Sequence, residues 1–164
     1  SIQSDCIKVL YEIGYVAPHL IAKHAQAFIS QLDSKVNRMV WGAMIALSTI
    51  AKEVPQIIWP HREKIKELIE NGSVITNVSG VRTLINLSKS GNSFYDGLIE
   101  DLLRLQSECR NVDFAKRAED MWPAIRSAHR DEYRRLLEKR KPDLSSAAQK
   151  RLSKVIQQLV DADI

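Results

Sequence analysis

The sequence predicts an all-α fold, a row of antiparallel helix pairs followed by one further helix, and three observations predict it. The chain matches itself without gaps when slid by 37 residues. The matched columns recur at i, i+3 and i+6, which is the stripe of a single helix face. Turn formers are scarce: six Gly and five Pro in 164 residues, with 6% aromatics, argue against a sandwich or barrel of many short strands. A chain that is 27% charged and 45% hydrophobic has the balance of a folded protein rather than a disordered one.

The first helix of each pair, helix A, is defined by three columns. Leu10, Leu47, Leu84 and Met121 form one; Ile13, Ile50, Leu87 and Ala124 a second; Ile7, Met44, Val81 and Ala118 a third. They place helix A at about 2–14, 35–52, 74–89 and 113–127. A second set pairs Pro18 with Pro55, His24 with His61, Phe28 with Ile65 and Leu102, and Leu32 with Ile69. These define helix B at about 18–32, 55–70, 93–108 and 129–140. Turns fall where the breakers lie, at Gly14 to Pro18, Val54-Pro55 and Ser90 to Ser93. Proline in the first turn of helix B is harmless, because the donor it lacks would be unpaired there. Asp33-Ser34, Asn71-Gly72-Ser73, and Asn111 with Asp113 supply stops and N-caps between pairs. The repeats therefore run over about 1–33, 34–71, 72–109 and 110–142 of a single domain, 1–164.

The pattern decays in the fourth repeat. The column of Phe28, Ile65 and Leu102 reaches Lys139, and that of Ile21, Ile58 and Tyr95 reaches Glu132. A terminal repeat turns polar because no neighbour covers it, and a one-residue shift of helix B restores a narrow apolar stripe of Tyr133, Leu136 and Leu137. After Lys141-Pro142-Asp143, Leu144, Ala148, Leu152, Val155, Ile156, Leu159 and Val160 recur at steps of three and four. They predict a capping helix over about 144–161, packed by one face on one neighbour. Ser1 to Cys6 already read as the interior of a helix, so the chain reads as a piece of a longer or processed protein.

Ile2 to Gly14, Met39 to Ala51 and Thr76 to Ser88 resemble the A helices of HEAT repeats, and Asp113 to Ile125 is a weaker fourth copy. The period, the paired-helix layout and the small residues Cys6, Ala43 and Gly80 carry the resemblance, which covers about residues 1–141. It implies a right-handed α-solenoid of about four helix pairs, with helix B along a concave face. The Asp and Arg of the most regular HEAT units are not evident at matching positions, so the resemblance is to the broad HEAT-like class.

The sequence contains no Gly-rich phosphate loop, GxSxG elbow or HExxH, and so predicts no catalytic, cofactor or metal residues. Cys6 and Cys109 stand too far apart for zinc-ligand spacing and read as reduced, mostly buried small apolar residues. His24 and His61 share a column with Leu98 and read as half-buried packing positions. Trp41 reads as inter-repeat packing, and Trp122 before Pro123 as part of a kink. Trp59 differs, because its column mates are Ala22, Asp96 and Tyr133, so it reads as standing on the exposed side of helix B. Trp59, Arg62 one turn on, and Asp96 are partner-binding candidates.

Charge supplies the other candidates. Residues 110–154 hold thirteen basic against seven acidic side chains, so the net +4 is a C-terminal property. Arg130, Arg134 and Arg135 lie in the densest run. They are either a solvated face or an electrostatic footprint for phosphates or an acidic protein. The expectation that follows is a non-enzymatic interaction or scaffold module for a macromolecular partner, most readily a protein, in a cytoplasmic setting without a membrane span or a small-molecule substrate. The rival is a nucleic-acid-binding protein of the HEAT-like group that excises alkylated bases, for which aromatic, acidic and basic side chains should gather on the concave face.

Overall fold

The computed structural model describes residues 2–162; Ser1, where the sequence expects helix interior, and the last two residues of the expected domain lie outside them. The described residues are all-α, with no strand among them. Their twelve α-helical segments are α1 (Ile2–Val16), α2 (Pro18–Ile21), α3 (Ala25–Gln31), α4 (Asn37–Ile50), α5 (Pro55–Ile58), α6 (Arg62–Asn71), α7 (Val74–Ser88), α8 (Asn92–Asp96), α9 (Ile99–Ser107), α10 (Asn111–Met121), α11 (Ser127–Arg140) and α12 (Ser146–Asp161). They fall into two compact units that meet at the Leu98–Ile99 bond.

In the N-terminal unit, α4 lies between α1 on one side and α7 on the other. The residues that match by the 37-residue shift are the ones that make this core. Leu47, Leu84, Ile50, Leu87, Met44 and Val81 are buried, while Leu10 and Ile13 on α1 are only half-buried. Close approach needs small residues. A Cβ at Gly42 would lie 2.9 Å from the Ile7 side chain, so glycine there lets α1 and α4 touch. Asn86 of α7 donates across to the Ser48 carbonyl of α4 at 2.9 Å, and Tyr11 meets Trp41 with ring centroids 6.2 Å apart. α7 is held at its start by Ser73, whose hydroxyl accepts the Thr76 N–H at 3.2 Å.

The second helix of each of the first three pairs is interrupted, at the same register in all three, whereas α11 of the fourth runs unbroken. The first has a 3₁₀ turn at Ala22–His24, the second at Trp59–His61, and the third breaks at residues 97 and 98. Pro60 removes the donor that would reach the Gln56 carbonyl. The first pair bends without a proline, so the bend belongs to the repeat. His24 and His61 sit at this break, with φ, ψ of −97°, 11° and −100°, 8°. His61 is half-buried as expected, whereas His24 is exposed, which corrects the reading of His24 as a half-buried packing position. Cys6 is also corrected. It is exposed, because on α1 its column faces outward, whereas Cys109 is buried.

In the C-terminal unit, α12 packs on both α10 and α11 rather than on one neighbour. Its buried Leu152, Val155 and Leu159 complete a core with Phe114, Ala118, Met121, Tyr133 and Leu137. Ser145 caps α12 by accepting the Ala148 N–H at 3.4 Å. At Trp122-Pro123 the helix does not kink but ends, in a 3₁₀ turn at Trp122–Ala124.

Candidate functional site

The aromatic site in the N-terminal unit grows out of the bend in the second helix pair. Trp59 opens the 3₁₀ turn, and Arg62 begins α6 three residues later, so both side chains emerge on one side of the break. The Arg62 guanidinium carbon stands 4.5 Å from the indole centroid, and Nη1 donates back to the Trp59 carbonyl at 3.2 Å. Its Nε lies 3.5 Å from a Glu63 carboxylate oxygen. From the next pair, Phe94 meets the indole edge-on with centroids 5.0 Å apart and planes at 65°. Gly97 closes the arrangement. A Cβ there would lie 2.8 Å from the far corner of the indole, so the absence of a side chain makes room for the ring.

Trp59 is thus half-buried rather than fully on the outside. Asp96 is exposed, and the residues of its segment that meet the indole are its neighbours Phe94 and Gly97. Sequence reading missed both. In the sequence Phe94 reads only as part of the start of a helix, and Gly97 is legible only once its position relative to Trp59 is known. What the arrangement offers is a preformed ring and guanidinium surface. The indole is held on one edge by Phe94 and stacked by a cation that keeps further N–H donors available for an acceptor.

The basic segment of the C-terminal unit is used differently. Arg117 is buried and donates to the Leu105 carbonyl at 2.8 Å. Arg140 lies 4.8 Å from the Phe114 ring centroid and donates to the Ser107 carbonyl, to the Cys109 carbonyl at 3.0 Å and to Asn111 Oδ1 at 2.8 Å. It thereby takes up carbonyls left open at the end of α9. Arg151 forks onto Glu119 at 2.8 and 2.5 Å, tying α12 to α10 and holding the Glu119 carboxyl below its ordinary pKa. Arg110 chelates Asp113, and Lys116 pairs with Asp120.

Of the three candidates here, Arg130 donates to the Ala162 carbonyl at 2.6 Å, and Arg134 lies 3.1 Å from Asp131 and 3.6 Å from Glu138. Arg135 is exposed. Much of the excess charge that stood out in the sequence is therefore cross-bracing within the unit.

Burial pushes the pKa of Cys109 up, and that of Tyr133 far up. Among the described residues no group of His, Cys, Asp and Glu side chains is placed to hold a metal ion, and no helix is long and apolar enough to cross a membrane. Compared with known proteins, the chain matches no family model, no curated protein and no solved structure.

Proposed function

We propose that this chain is a non-enzymatic protein-interaction module, an α-solenoid of HEAT-like helix pairs that engages a macromolecular partner along its helix-B side. The observation that carries this reading is the Trp59, Arg62 and Phe94 surface at the bend of the second pair, where a half-exposed indole is fixed in place before any partner arrives. Tryptophan and arginine are the residues that most often dominate binding energies, and preorganisation lowers the entropy lost on binding. The solenoid part is supported by α4 lying between α1 and α7, and by the bend recurring at a spacing of 37 residues.

A protein partner is favoured over nucleic acid because the basic side chains of the C-terminal unit are largely engaged with carbonyls and carboxylates of their own unit. The base-excision reading gains less support still, since Asp96 is not among the residues that meet the indole. Co-purification with mass-spectrometric identification tests the proposal. Trp59→Ala should weaken the interaction with the recovered protein by about 2 kcal/mol or more, and Arg62→Glu should do likewise. Undiminished binding by both variants would overturn the site. Binding of duplex DNA, with log K falling against log salt at a slope near −0.9 per phosphate contacted, would overturn the choice of partner.

A further inference from the structure

The guanidinium of Arg62, at the bend of the second pair, has one edge to spare. One planar face lies against the Trp59 indole, 4.5 Å from its centroid, and Nη1 donates to the Trp59 carbonyl at 3.2 Å. The same carbonyl accepts the Arg62 backbone N–H, so the side chain is tied to its own turn. What is left is the edge made by Nε and Nη2. Nε faces a Glu63 oxygen only at 3.5 Å, beyond the roughly 2.7–2.9 Å of a charge-assisted hydrogen bond, and the other Glu63 oxygen is taken by Lys66 at 2.8 Å. Among the described residues Nη2 has no partner, and the side chain is 33% exposed.

Elsewhere the chain shows what this edge takes when it is satisfied. Arg151 sets Nε and Nη2 on the two oxygens of Glu119 at 2.8 and 2.5 Å, and Arg110 closes the same two nitrogens on one oxygen of Asp113 at 2.8 and 2.5 Å. A planar guanidinium and a planar carboxylate match in this way. Arg62 presents the same edge beside an aromatic surface and has no carboxylate of its own to grip. The surroundings restrict what can supply one. Glu63 is the next residue, and exposed Asp96 lies in the segment that brings Phe94 and Gly97 to the indole. Both oppose a dianionic phosphate or a polyanion, which calls for a cluster of arginines rather than one. A chain-end carboxylate is ordinarily cupped by backbone N–H groups. Here Pro60 has none, and those of Arg62 and Gly97 are spent on the Trp59 and Ser93 carbonyls.

We propose that Trp59 and Arg62 together recognise the side-chain carboxylate of one Asp or Glu in a partner protein, flanked in that protein's sequence by an apolar residue; this rests on the reading of the Trp59 surface as a partner site. The carboxylate forks onto Nε and Nη2 of Arg62, in the manner of Glu119 on Arg151. Its apolar neighbour covers the exposed part of the indole and Phe94, which removes water from the ion pair and strengthens it. Little has to move. Glu63 keeps Lys66 when the partner displaces its loose contact with Nε, and the guanidinium is already in place, so less entropy is lost on binding. A cationic side chain brought to the same ring would meet Arg62 and be repelled.

A phage-displayed library of random peptides, fused to the coat protein through their C-termini, is panned against the purified chain, and the binders that move the Trp59 indole N–H resonance are kept. Those peptides should carry an Asp or Glu beside an apolar residue. Changing that acid to Asn or Gln should raise the dissociation constant at least about tenfold. Arg62→Gln should erase the difference between the acidic and amide peptides while leaving the helical circular dichroism unchanged. Arg62→Lys should restore only part of it, because an ammonium cannot fork. Three results would overturn this inference and leave the Trp59 surface standing as a partner site: Trp59-directed peptides without a carboxylate, a carboxylate whose removal costs as much in the Arg62→Gln chain, or tighter binding when phosphoserine replaces the acid. A library in which no peptide reaches Trp59 would overturn that reading, and this inference with it.

Discussion

Leu47 has no exposed surface, and its column mates Leu84 and Met121 have none either. Truncating it removes apolar contacts at a place where α4 is held from two sides and cannot collapse inward. Leu47→Ala should therefore lower the stability of the chain by about 2–5 kcal/mol, read from the midpoint of denaturant unfolding at unchanged slope. Tyr133 poses the opposite case. Its ring is buried, yet its hydroxyl has no hydrogen-bond partner among the described residues. A buried polar group in that state detracts from stability, so Tyr133→Phe should leave the unfolding midpoint unchanged or raise stability by up to about 1 kcal/mol. A loss of more than that would show that the hydroxyl is satisfied in solution, most simply through an ordered water. Neither feature has the same visibility in sequence. Leu47 declares itself by recurring at 37 residues, whereas Tyr133 shares a column with Ala22, Trp59 and Asp96, and only packing decides which member of such a column is enclosed.

At the scale of the element, α12 is fastened by an apolar stripe and by the Arg151 fork onto Glu119. Because hydrogen bonding to Arg151 holds the Glu119 carboxyl below its ordinary pKa, this contribution is complete above the ordinary carboxylate range and is lost as pH falls through the lowered value. The pair is partly exposed, with side-chain accessibilities of 47% and 34%, so solvent and salt screen it and its share is about 0.2–1 kcal/mol. Glu119→Gln should remove the part of the acid sensitivity of α12 that this carboxyl carries. Truncation after Asp143 is the stronger perturbation, since it uncovers Leu137, Met121 and Phe114 together. Amide exchange should then accelerate across α10 and α11 while α1, α4 and α7 keep their protection. Equal protection in both chains would show α12 to be a dispensable tail. The sequence located this helix to within a residue or two from its period and the breaker Lys141-Pro142-Asp143 before it. It did not reveal that two helices would share the stripe, because a one-sided pattern records how wide a face is and not how many neighbours divide it.

For the whole molecule, what is repetitive was legible and what is singular was not. Most helix boundaries and most of the buried columns follow from the 37-residue period, since each copy solves the same packing problem with similar residues; the half-buried Leu10 and Ile13 and the early end of α10 at Met121 are the exceptions. The bends inside the second helices escaped notice because their breakers, Pro60 and Gly97, share a column with Lys23, and the first bend carries neither glycine nor proline. The candidate site was half legible. Trp59 stood out by not fitting its column, and Arg62 by lying one turn away; the ring of Phe94 and the space at Gly97 come from the next repeat and have no local signature. Charge was the least legible signal, because counting cations ignores where each one is anchored, and the guanidinium of Arg140 is surrounded by Ser107, Cys109, Asn111 and Phe114 of its own unit. The same anchoring ranks these arginines as chemical reagents. A guanidinium already clasped by backbone oxygen and covered by an aromatic ring is shielded from dicarbonyl reagents such as phenylglyoxal. Adducts on the folded chain should therefore collect first at Arg135, more slowly at Arg134 and Arg151, and last at Arg140 and Arg117, so that the order of covalent labelling reproduces the order of confinement.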